Sequence, residues 1–171
     1  MKPIVLAALF LAFGAGAAAA QVSPGPEPTA SERAFVADCL AKHKDSATAR
    51  KACIGVDLGA CLGLEDGPKT IKTNGFGHPR DCAAIERQIW DGWLNRWYGE
   101  ALKKIPAAAV DKLKAAQRAW IAWRDAGCGV NSALHPWPLG DDNEETCLME
   151  ETASRALDLR DMVGDDFEDG Q

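Results

Sequence analysis

The chain has 171 residues, a formal net charge of −6 and six cysteines. That length suits one domain. Acidity without a basic stripe excludes a nucleic-acid binder and favours encounter with a basic partner.

Residues 1–20 read as an export signal. Lys2 is followed by an apolar run from Ile4 to Phe13, and Ala18-Ala19-Ala20 supplies the small-residue cleavage pattern before Gln21. The run is too short to anchor the chain across about 30 Å of hydrocarbon. No later stretch is long and apolar enough to span a membrane, and no cysteine follows the cleavage position to carry a lipid. The mature protein is therefore expected in the periplasm or secreted, where Cys39, Cys53, Cys61, Cys82, Cys128 and Cys147 should form three disulfides. No metal site and no cofactor is expected. There is no Cys-x-x-Cys or His-Glu-x-x-His, and His43, His78 and His135 are scattered.

Residues 21–30 form a proline-rich linker through Pro24, Pro26 and Pro28. The domain itself is expected over 31–164. Thr29 and Glu32 have capping-box spacing, which starts a first helix near Ser31 and carries it to about His43. Asp45 or Ser46 caps a short second helix that ends near Ile54. The two helices make a hairpin, and its symmetry pairs Cys39 with Cys53. Gly55 to Pro79 reads as a long glycine-rich loop with one helical turn around Ala60, pinned by a Cys61–Cys82 bridge.

Pro79 suits the first turn of a third helix, from about Asp81 to Ile105. Its wide apolar face, with Trp90, Trp93 and Trp97 beside Leu94, Tyr98, Ala101 and Ile105, predicts a central position. After Pro106 a fourth helix runs from about Ala108 to Ala126, and the short link predicts an antiparallel neighbour. Folding the sequence about that link sets Tyr98 opposite Gln117, Asn95 opposite Trp120 and Asp91 opposite Arg124. The expectation is a structural polar network of Asp91, Asn95, Tyr98, Gln117 and Arg124, with an Asp91–Arg124 salt bridge beside a core of tryptophans that includes Trp120 and Trp123.

Gly127 should end the fourth helix. Residues 129–139 then form a loop carrying His135, Pro136, Trp137 and Pro138, closed by a Cys128–Cys147 bridge. Asp141 or Asp142 caps a fifth helix that ends at Gly164, and residues 165–171 form an acidic disordered tail. The fold class is all-α, a small disulfide-bonded bundle of about five helices.

Cys82, Glu86, Trp90-Asp91, Leu94-Asn95 and Tyr98 precede Ala116-Gln117-Arg118-Ala119-Trp120-Ile121, Arg124-Asp125 and Cys128. After a gap come Cys147, Thr152 and Arg155. This set resembles the LprI-like family of exported bacterial domains, named after a lysozyme-inhibitor lipoprotein, over about Cys61 to Leu159. The resemblance implies a small helical disulfide-bonded domain, and its name implies binding of a lysozyme. The cysteine-bearing hairpin from Ser31 to Ile54 is an addition ahead of that core.

The first functional reading is a non-enzymatic envelope protein that binds another protein, such as a basic lysozyme. Trp137, held between two prolines and next to His135, is the candidate partner-binding residue, unless its ring folds back onto the core. An alternative is a cell-wall glycan hydrolase using Glu86, Asp91 or Asp125, since paired carboxylates cleave glycosides. Structural roles account better for those acids, so no catalytic residue is assigned. A purely structural envelope module is the third reading.

Overall fold

The computed structural model describes residues 26–63 and 78–164. The expected signal segment (1–20), the first half of the proline-rich linker (21–25), the stretch 64–77 and the acidic tail (165–171) lie outside the described residues.

The Thr29 hydroxyl accepts from the Glu32 N–H at 3.3 Å, and the Glu32 carboxylate returns to the Thr29 N–H. This capping box starts α1, Ala30–Lys42. Ser46 caps α2, Ala47–Arg50, which tightens into a 3-10 turn over Lys51–Cys53. Gly55, with φ 86°, turns the chain left-handed into α3, Val56–Cys61. Pro79 opens α4, Pro79–Lys104. Then come α5, Ala107–Leu134, and α6, Leu139–Val163. The protein is all-α, with no strand among the described residues.

Three disulfides clamp these elements. Cys39–Cys53 closes the N-terminal hairpin, Cys61–Cys82 ties α3 to α4, and Cys128–Cys147 ties α5 to α6.

The core lies chiefly between α4 and α6. Trp90, Trp97, Ile85, Ile89 and Leu94 meet Met149, Ala153, Ala156, Leu157 and Leu159, and Val36 and Leu40 of α1 complete it. Ala153 and Ala156 are fully buried, and their small side chains let the two long helices approach closely. Full burial of a residue such as Leu40, Met149 or Leu159 contributes about 1.5–3 kcal/mol each. Polar contacts set the directions. His78 meets Asp142, Arg87 meets Glu145 and Arg160 covers the Trp97 ring, so α4 and α6 run parallel. Arg155 reaches Gln117 and Arg124 reaches Thr152, so α5 and α6 run antiparallel.

Two expectations are corrected here. Helices α4 and α5 are joined by Ile105 and Pro106, yet each packs mainly against α6 rather than against the other. Their facing sides diverge into a groove. The fourth helix also runs past Gly127 and Gly129 to Leu134, leaving a loop of only His135 to Pro138. Glycine weakens a helix by about 1 kcal/mol, which the Cys128–Cys147 clamp and packing on α6 offset. Correspondingly α6 begins at Leu139, so Asp141 and Asp142 sit in its first turn rather than at its cap, where they still favour the helix dipole.

Candidate functional site

The α4–α5 groove gathers the polar residues that the sequence singled out. Asp91, Leu94, Asn95 and Tyr98 form one wall, and Lys114, Gln117, Arg118, Trp120, Ile121 and Arg124 the other, around a cavity of about 320 Å³. The expected Asp91–Arg124 salt bridge is not formed. Asp91 accepts from Asn95 Nδ2 at 3.0 Å on its own helix. Arg124 donates to Asp125 through Nε (2.9 Å) and Nη2 (2.7 Å), donates to the Thr152 hydroxyl at 3.2 Å, and lies 4.9 Å over the Trp120 ring. The reason is geometric: α6 holds the two helices apart, so each charge finds a nearer partner. Gln117 is buried, and its Oε1 accepts from Arg155 Nε at 2.9 Å. That bond fixes the amide and leaves its NH₂ as a donor.

A second feature is the outer face of α5. This 28-residue helix buries only Leu113, Gln117 and Cys128. Trp123 is 59% exposed, which corrects its assignment to the core. Trp123, Val130 and Leu134 recur at spacings of seven and four, so they share one face. That stripe leads to the tip of the α5–α6 hairpin, where His135 and Leu139 are exposed and Trp137 is 81% exposed. The Trp137 ring does not fold back. The tip is tight: a Cβ on Gly140 would stand 2.7 Å from the His135 carbonyl oxygen and 2.8 Å from that of Ser132.

Glu86 is in neither place. It is fully buried, and its oxygens accept from the Gly55 N–H, the Leu58 N–H and Trp90 Nε1 at 2.7, 2.7 and 2.8 Å. Burial pushes its carboxyl upward, and those hydrogen bonds oppose the rise. Asp57 and Glu32, also buried, complete an acidic cluster between α1, α3 and α4. Burial first, then the Glu32 and Glu86 charges, raise Asp57 to about 7, and neither of its oxygens has a hydrogen-bond partner. A glycan cannot reach Glu86, so a hydrolase cannot use it as acid or nucleophile. Cys39, His43 and Cys53 place their ligand atoms within 4.8 Å of one another, but the disulfide occupies both sulfurs.

The arrangement is thus a rigid helical frame presenting an open polar groove and an exposed apolar stripe ending in a tryptophan. Residues 72–159, just over half of the chain, match the model of the family described as lysozyme inhibitor LprI. The chain belongs to the LprI family. The match takes in α4, α5 and most of α6, and leaves the α1–α3 segment ahead of it. No curated protein and no solved structure matches the chain. Asp91, Leu94, Asn95, Tyr98, Gln117, Arg118, Trp120, Ile121 and Arg124, which are part of the sequence motif, line the α4–α5 groove. The family and the three disulfides fit an extracytoplasmic protein, and among the described residues no helix is long and apolar enough to cross a membrane.

Proposed function

We propose that this LprI-family protein is exported to the periplasm or beyond and acts without catalysis, by binding a basic lysozyme-type enzyme and blocking it. The observation that carries the reading is the exposed stripe of Trp123, Val130 and Leu134 running into Trp137. Large apolar side chains exposed along one helix face mark an interaction surface, and a tryptophan on a rigid turn is a low-entropy anchor. Cys128–Cys147 and the close approach at Gly140 hold that turn in place before any partner arrives. The net charge of −6 would steer a cationic enzyme toward it. The test is a lysis assay. The oxidised domain slows lysozyme-driven clearing of cell walls, more at low salt than at physiological salt. If an excess of domain leaves the rate unchanged, the reading fails.

A further inference from the structure

We propose that the α4–α5 groove is a second binding site, separate from the α5 stripe, and that it takes a short saccharide bearing a carboxylate. Three features of the groove point to that chemistry.

The first is charge. On a chain of net charge −6, the groove places Lys114 and Arg118 one helical turn apart on one wall, and neither has an ion pair or hydrogen bond with any described residue. Arg124 stands farther along the same wall, already engaged by Asp125. Gln117 lines the same stretch and, with its Oε1 taken by Arg155, keeps its NH₂ as a donor, so the end of the groove nearest the α4–α5 link is rich in donors and suited to one carboxylate. The second is the far end, where Asp91 and Asn95 are joined by a single hydrogen bond, leaving acceptor oxygens free for hydroxyls. Asp91 would repel an extended polyanion, so the negative group belongs at the link end only. The third is the surface between them. Tyr98, Trp120, Leu94 and Ile121 provide the ring and aliphatic faces against which the apolar side of a sugar packs.

Size agrees. Asp91 to Tyr98 spans about 10 Å at 1.5 Å per residue, the reach of roughly two linked pyranose rings. A peptide fits less well. Both walls are helices whose backbone groups are already bonded, so an extended strand has no edge to pair with.

The test is calorimetric titration of the oxidised domain with N-acetylglucosaminyl-N-acetylmuramic acid, whose lactyl group supplies the carboxylate. The same disaccharide with that group reduced to the alcohol, and a tripeptide with a free C-terminus, are the comparison probes. The acid is expected to bind, and the alcohol at least about tenfold more weakly, because it lacks the charge-assisted hydrogen bonds. Lys114→Ala and Arg118→Ala should each weaken the acid by about tenfold. Lys112→Ala, outside the groove, and Trp137→Ala, at the tip, should leave it unchanged. Lys114 and Arg118 are exposed, so melting temperature serves as the fold check, and Arg118→Gln replaces any variant that melts early. Equal binding of acid and alcohol, no binding at millimolar sugar, tighter binding of the tripeptide, or indifference to both cation variants would overturn the proposal. Because inhibition of lysis is read separately, loss of this site leaves the reading of the stripe standing, and the reverse also holds.

Discussion

Glu86 caps a helix to which it does not belong. Its carboxylate accepts from the N–H groups of Gly55 and Leu58, the N-cap and third residue of α3, from its own position inside α4. Gly55 provides the left-handed turn that α3 needs but has no side chain to cap it. A carboxylate from the neighbouring helix supplies what a serine or aspartate would supply locally, and it meets the positive end of the α3 dipole. Trp90 Nε1 provides a third bond, and Cys61–Cys82 fixes the two helices in the register that the bonds require. Glu86→Ala should cost about 3–5 kcal/mol in chemical denaturation, since it strands buried donors. Glu86→Gln, which keeps one acceptor oxygen, should cost less. A loss under about 1 kcal/mol for the alanine variant would refute the capping role.

Asp57 should make stability depend on pH. Its folded pKa of about 7 lies above the unfolded value of 3.8, so the native state holds a proton that the unfolded chain has released. Stability from this group is therefore present at low pH and is lost as pH rises from about 4 through about 7. Asp57→Asn should come close to the parent protein near pH 4 and exceed it by a few kcal/mol above pH 7. Melting curves at pH 4 and pH 8 check this. Parallel curves for the two proteins would mean that Asp57 is ionised in the fold throughout.

Arg124 should matter little to stability. Its ion-pair partner, Asp125, is an exposed neighbour in sequence, and the remaining bonds are one hydroxyl contact and a stacking contact with Trp120. Arg124→Ala should cost about 1 kcal/mol rather than the 3–5 kcal/mol of a broken buried pair. The denaturation midpoint decides between them, and a large loss would restore the Asp91–Arg124 pairing.

Gly140 tests the tip. Any side chain there meets the Ser132 carbonyl oxygen of α5 and the His135 carbonyl oxygen of the loop that follows, both at under 3 Å, and both belong to backbone that the hairpin cannot easily move. Gly140→Ala should destabilise by about 1–3 kcal/mol. It should also loosen His135 to Pro138, read as increased amide exchange at residues 132–140. Unchanged exchange would show that the close approach does not hold the turn.

The sequence made the local devices plain. The Thr29–Glu32 box, the proline opening α4 and the central place of the tryptophan-rich helix all follow from short-range rules, and the structure contains each of them. What it hid was long-range. A two-residue link between α4 and α5 permits an antiparallel hairpin but does not enforce contact, and α6, bearing Ala153 and Ala156, packed closely on α4 instead. The residues expected to zip together became facing walls of a groove. One signal was available: α5 carries Ile121, Trp123, Val130 and Leu134 around more of its circumference than one packing partner could cover. Gly127 misled for a related reason, since a disulfide one residue later supports a helix that local propensity alone would have ended. Glu86 could be judged structural from its tryptophan neighbours. Its partners could not be identified, because they lie 28 and 31 residues away across a bridge.

The most direct measurement of the central claim is lysozyme-driven clearing of cell walls with the oxidised domain, its Trp137→Ala variant and its Trp123→Ala variant, at low and physiological salt. The parent domain should slow clearing, most at low salt. Trp137→Ala should keep its melting temperature while losing at least about tenfold in potency, as expected when an anchor is removed. Clearing that proceeds at the same rate with and without excess domain, or variants as potent as the parent, would contradict the claim.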